Sequence, residues 1–134
     1  MSSRVSVFLS EVGLMCVLLV EDDENIRDIF IEYLTSFGLP VLAVVDGDAA
    51  VALIDDPPRR FSVLLTDFDM PGSRNGCDVA EHMMAHHPHV HIFVITGRPD
   101  VVRRACPDGL RFDLIYKPVP PSTLCERIAH LVEH

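Results

Sequence analysis

Five short apolar runs, each closed by polar or turn-forming residues and each followed by helical spacing, constrain this chain more than any other feature. The runs are Leu14–Val20, Val41–Val45, Phe61–Thr66, His91–Thr96 and Leu114–Tyr116. Runs of this kind are expected to be strands, and the third, rich in branched residues and closed by turn formers, a strand buried on both faces. Between them the period changes. Ile26, Ile29, Phe30, Tyr33, Leu34 and Phe37 form one helical stripe, stopped at Gly38. Asp48–Ile54 predicts a brief helix halted before Pro57-Pro58, and Cys77–His87 a third, ended by Pro88. Asp100–Cys106 predicts a short fourth helix with Asp100 as its cap. A fifth is expected from a Ser122 cap to Val132, with Leu124, Ile128, Leu131 and Val132 inward. Strand and helix alternating five times, with short connections, imply a parallel sheet, right-handed crossovers and helices on both faces.

A chain of 134 residues suits one domain with a real core. Residues 1–13 have no clear place in that core: Val5, Val7 and Leu9 alternate weakly, so they predict an N-terminal extension, a short extra strand or a flexible tail, before a domain at 14–134. The formal charge of −9 argues against direct nucleic-acid binding, because phosphate backbones select basic faces. No apolar run approaches the roughly 20 residues needed to span a bilayer, and Val5–Leu9 is too short for a secretory signal. Cys16, Cys77, Cys106 and Cys125 are widely spaced, without a CxxC pair. Reduced thiols in a cytoplasmic protein are the expectation.

The third run carries the chemistry. Phe61–Gly76 reads FSVLLTDFDMPGSRNG, so the strand ends at Asp67, followed by Asp69 and the turn formers Pro71-Gly72 and Asn75-Gly76. Open parallel sheets place their ligands at the strands' carboxyl ends. Runs one, three, four and five end in Glu21-Asp22, Asp67, Thr96 and Lys117. Since parallel strands run the same way, all of these belong to one edge. Clustered carboxylates either take up protons or hold a hard cation, and Mg2+ suits a few carboxylates plus water. Lys117 supplies a second positive charge, Thr96 a hydroxyl for a phosphoryl oxygen, and ionised Asp67 a nucleophile toward phosphorus. Lys117 is the only lysine beside ten arginines, as expected where a compact ammonium is required rather than a planar fork.

The segments VLLVEDDE, LLTDFDMPG, VITG and YKPV, in this order and at these spacings, resemble the receiver domain of two-component response regulators over about Leu14 to Val132. The resemblance implies a flavodoxin-like, doubly wound (βα)5 sheet of five parallel strands in the order 2-1-3-4-5. It also implies Mg2+ binding and phosphoryl transfer to Asp67 from a histidine kinase or histidine phosphotransfer protein. By position, Asp22 ligates Mg2+ directly, Glu21 largely through water, Asp67 as ligand and phosphoacceptor, and Asp69 through its backbone carbonyl. Thr96 is the switch hydroxyl, Lys117 pairs with the phosphoryl group, and the Lys117-Pro118 bond is cis. The chain departs from the pattern at Leu114, where the family's switch aromatic usually stands; Tyr116 is not its equivalent. The Gly72–Gly76 loop is longer than the commonest form, resembling receivers associated with hybrid histidine kinases. Pro99, Pro107 and Gly109 predict a short or mobile fourth helix.

The expected role is a switch with a downstream protein target, not a turnover enzyme, with homodimer formation left open. Three rivals differ in kind. Asp67-Phe68-Asp69 matches the nucleophile motif of haloacid-dehalogenase-type phosphatases, but there the acidic pair follows the lysine, whereas Glu21-Asp22 precedes the nucleophile here. His82 and His86, four apart on a helix, offer two ligands for Zn2+ or Ni2+, without a third ligand at motif spacing. A degenerate receiver that only binds partners is the third, left open by Leu114.

Overall fold

The computed structural model describes residues 16–56 and 60–132. The elements are β1 (Val17–Val20), α1 (Glu24–Ser36), β2 (Val41–Val44), α2 (Gly47–Asp55), β3 (Val63–Asp67), α3 (Gly76–His86), β4 (His91–Thr96), α4 (Pro99–Ala105), β5 (Asp113–Tyr116) and α5 (Pro121–Val132). The five strands form one parallel sheet in the order β2-β1-β3-β4-β5, the expected flavodoxin-like arrangement. Val17 pairs with Val41 on one side and Val63 on the other, and Val63 with His91. That register brings the ends of β1, β3 and β4 to one rim.

Strand alternation divides the core in two. Leu18, Val20, Leu64 and Val94 pack with Ala50 and Ile54 of α2, Val79 and Met83 of α3 and Val102 of α4. Val17, Leu19, Val63, Leu65 and Phe93 pack on the opposite face with Phe30 and Leu34 of α1 and Leu124 and Ile128 of α5. In the central strands a side chain pointing either way therefore meets helices, so β1 and β3 are buried throughout; the edge strands β2 and β5 are only partly buried, with Ala43, Asp113 and Tyr116 exposed. Burying a leucine such as Leu64 stabilises by about 1.5–3 kcal/mol, and Leu64→Ala is expected to cost about 2–5 kcal/mol once the cavity is included.

Several expectations are corrected in detail. The predicted extension over residues 1–13, the first two residues of the Leu14–Val20 run and the Pro57-Pro58 stop lie outside the described residues. Only two of the six stripe residues are inward: Phe30 and Leu34 are buried, whereas Ile26, Ile29, Tyr33 and Phe37 are exposed. Periodicity marks apolar positions, but of this stripe only Phe30 and Leu34 join the core that α1 shares with α5. Helix starts shift to better caps. Asp46 accepts from Ala49 N–H and starts α2 at Gly47. Asn75 and Asp78 form a reciprocal capping box that starts α3 at Gly76. Asp100 and Ser122 are not caps; Pro99 and Pro121 open α4 and α5 and place them inside the first turn. Gly38 does end α1, at φ +77°. α4 is short, at seven residues.

The expectation of four reduced thiols is overturned for one pair. Cys77, in the first turn of α3, and Cys106, just past α4, form a disulfide with Cα atoms 5.3 Å apart, inside the native range of about 4.4–6.8 Å. The two lie 29 positions apart and meet because α3 and α4 pack on the same face. Cys125 is a buried thiol, pushed up to about 12 by desolvation. No helix among the described residues is long and apolar enough to cross a membrane.

Candidate functional site

At the end of β1 the chain continues one ladder bond further, with Glu21 N–H donating to Val44 O at 3.0 Å. It then turns back so that Asp23 N–H donates to Glu21 Oε2 at 3.0 Å. Asp23 serves at once as the cap of α1, accepting from Ile26 N–H. Arg27, on the first turns of α1, folds over this loop and donates to the carbonyls of Glu21 (3.0 Å) and Asp22 (3.4 Å). Glu21 is 4% exposed; Asp22 faces solvent.

Asp67 is the last residue of β3 and is 5% exposed. Phe68 N–H donates to Ile95 O, holding the following loop along β4, and Gly76 N–H donates to Phe68 O, both at 2.9 Å. Gly76 is required there because a Cβ would lie 2.6 Å from Asp67 O and 2.9 Å from Phe68 Cα. Ligand oxygens of Glu21, Asp22 and Asp67 lie within 4.8 Å of one another. Lys117 brings Nζ to 2.9 Å from Asp67 Oδ1, a charge contact; no aligned hydrogen bond from the described residues reaches that buried oxygen. The lysine is fixed by its N–H donating to Thr96 O at 2.8 Å, and the bond that follows, Lys117-Pro118, is cis.

Burial raises the Asp67 carboxyl above its ordinary value, against the opposing pull of the Lys117 ammonium. Burial also raises Glu21, to about 7, with the Asp23 N–H working against it and the Asp67 charge adding to it. For Lys117, burial acts downward but is outweighed by Asp67, Glu21 and Asp69, which hold the ammonium above its usual value. One ammonium facing three carboxylates leaves the cluster negative. An all-oxygen, crowded and partly desolvated donor set of this kind fits a hard dication such as Mg2+.

The remaining predicted residues stand at the same rim. Thr96 ends β4, one position beyond the Ile95 that pairs with Asp67. It is buried, and its Oγ1 accepts from Arg98 N–H at 2.8 Å. Asp69 is exposed and ion-paired with the Arg98 guanidinium. Arg98 thus holds both residues, and Arg27 holds both acids of the first loop; neither was singled out from the sequence. For Arg27 the only signal is its place on the first turns of the helix that follows the acidic run. Leu114 is half-buried and packs against the core. Tyr116 is 52% exposed, with its hydroxyl bonded to Arg103 of α4 and that guanidinium 5.7 Å above its ring.

A doubly wound parallel sheet in the order 2-1-3-4-5 defines the flavodoxin-like class of α/β domain. Within it, the chain belongs to the response regulator receiver domain family, whose pattern matches residues 17–129; receiver domains are regulatory modules of two-component signalling, working with histidine kinases and downstream effectors. The chain is 31% identical over 121 residues to a cyclic di-GMP phosphodiesterase of Thermotoga maritima, covering 90% of this chain and 32% of that protein. It is 32% identical over 115 residues to the transcriptional regulatory protein CpxR of Klebsiella pneumoniae, covering 84% and 47%. The chain thus spans about a third of the first relative's length and about half of the second's. Among solved structures, the receiver domain of a sensor histidine kinase from Pseudomonas aeruginosa, with a magnesium ion coordinated in its active-site cleft, superposes with a TM-score of 0.74 at 23% identity, covering 90% of this chain and 98% of that one. The phosphatase and degenerate-receiver readings are not favoured.

Proposed function

We propose that Asp67 accepts a phosphoryl group from a phosphohistidine of a histidine kinase or histidine phosphotransfer protein. A carboxylate oxygen of Asp67 attacks phosphorus, the phosphorus–nitrogen bond breaks, and the departing imidazole takes up a proton. Glu21, Asp22 and Asp67 would hold Mg2+, with the Asp69 carbonyl as a further oxygen. When bound, the ion supplies charge neutralisation for acids and phosphoryl oxygens alike. Lys117 positions Asp67 before transfer and afterwards meets the added negative charge. Thr96 turns its hydroxyl from Arg98 N–H toward a phosphoryl oxygen, which loosens the Arg98 loop and with it the start of α4.

The altered surface is the α4–β5 face, where Tyr116 is already external and clasped by Arg103. With Leu114 in place of an aromatic, displacement of the Tyr116–Arg103 pair is the output movement we infer. The chain acts as a two-state switch toward a downstream protein rather than as a turnover enzyme. The observation that carries this reading is the Lys117–Asp67 contact beside the Glu21–Asp22–Asp67 oxygens. Incubation with Mg2+ and a small acyl phosphate should raise the intact mass by one phosphoryl group in the wild type and not in Asp67→Asn. Equal labelling of the two would refute it.

A further inference from the structure

The C-terminal ends of α2 and α3 bring together three donor atoms that play no part in the acidic pocket. Asp55 is the last residue of α2, His86 the last of α3, and His82 lies one turn earlier. Both imidazoles direct Nε2 at one oxygen, Asp55 Oδ1: His82 at 2.7 Å and His86 at 3.7 Å. The rings lie 4.3 Å apart between centroids, tilted by 32°, and one donor from each residue falls within 4.8 Å of the others. We propose that Asp55, His82 and His86 bind a first-row dication of the Zn2+ type.

An ion pair between protonated His82 and Asp55 explains the shorter contact but not the second ring. His86 Nδ1 lies 3.0 Å from the His82 carbonyl, where it donates. In the neutral ring that places the lone pair on Nε2, on the side facing Asp55. At 2.7 Å from a carboxylate oxygen, His82 Nε2 carries a hydrogen, which a bound dication would displace. Donors around tetrahedral zinc lie roughly 3.3 Å apart, and the two Nε2–Oδ1 separations straddle that value. The nitrogen-rich set selects borderline metals over Mg2+, which separates it in chemistry as well as place from the all-oxygen pocket. Both helices point their carbonyl ends here, which favours a cation. The side chains of Asp55, His82 and His86 are 52%, 27% and 47% exposed, so an ion has access and water can complete its shell. The i, i+4 histidines were legible from sequence; the third ligand comes from another helix.

The test is calorimetric titration of Zn2+ into untagged, chelator-treated protein, with excess Mg2+ present. One equivalent should bind in the wild type, and His86→Ala, His86→Gln and Asp55→Asn should each weaken it by roughly tenfold or more, with helical circular dichroism intact. Asp22→Ala should bind Zn2+ as the wild type does. The proposal is overturned if the wild type shows no saturable uptake, if the histidine and Asp55 variants bind as tightly, or if Asp22→Ala abolishes binding.

Discussion

Lys117 Nζ stands 2.9 Å from Asp67 Oδ1, reaching past the end of β4 from β5 to β3. The lysine backbone is tied to Thr96 O, so the strand between the two partners sets the separation. The ammonium is the cation that faces the buried carboxylate. In Lys117→Arg, the planar guanidinium does not reproduce a compact charge in this place. Phosphoryl uptake from a small acyl phosphate, followed by intact mass, should slow by roughly tenfold or more, the range for removing a charge-stabilising donor. An unchanged rate would make the lone lysine incidental.

Asp22 is the exposed member of the oxygen cluster and contributes little packing. In Asp22→Ala the Mg2+ dissociation constant, measured by calorimetry, should rise roughly tenfold or more while the urea midpoint without Mg2+ holds. Unchanged affinity would remove Asp22 from the site.

Glu21 and Asp67 both titrate above their ordinary values in the folded chain, Glu21 at about 7 against 4.5. The folded state therefore binds more protons than the unfolded one across this interval, and stability from these groups is lost as pH rises through about 7. Without Mg2+, the urea midpoint should fall from about pH 6 to about pH 8, and Glu21→Gln should flatten the decline. Mg2+ should stabilise more at the higher pH, since its binding displaces the proton. A midpoint rising over this range in the wild type would contradict the assignment.

Gly76 sits against the backbone of the phosphoacceptor loop, where a methyl group would meet Asp67 O at 2.6 Å. A backbone carbonyl cannot swing aside as a flexible side chain does, so Gly76→Ala should cost about 1–3 kcal/mol in urea unfolding. Gly109, where an added methyl group would enter open space, is the control: Gly109→Ala should stay within about 0.5 kcal/mol. Equal midpoints for the two variants would contradict this.

Much of this arrangement was legible because strand ends are marked by abrupt changes of character. Leu65-Thr66-Asp67 and Ile95-Thr96-Gly97 announce where a strand meets the rim, and parallel pairing does the rest. What escaped depends on how helices lie. Ile29 and Phe30 are adjacent and both apolar, and which of them is buried depends on how α1 lies on the sheet beside α5. Cys77 and Cys106 meet only because α3 and α4 share a face, and no spacing rule encodes that. Arg27 and Arg98 look like ordinary surface cations until the loops they hold are folded, and Asp55 joins His82 and His86 only across two packed helices.

Among several crowded carboxylates, Asp67 is the one that should receive the phosphoryl group. Borohydride reduces an acyl phosphate to an alcohol, turning a phosphorylated aspartate into homoserine. After treatment with Mg2+ and acyl phosphate, reduction and peptide sequencing by mass spectrometry should find homoserine at position 67 alone. Homoserine at position 22 or 69, or at no position in protein that had gained the phosphoryl mass, would contradict the assignment of Asp67 as phosphoacceptor.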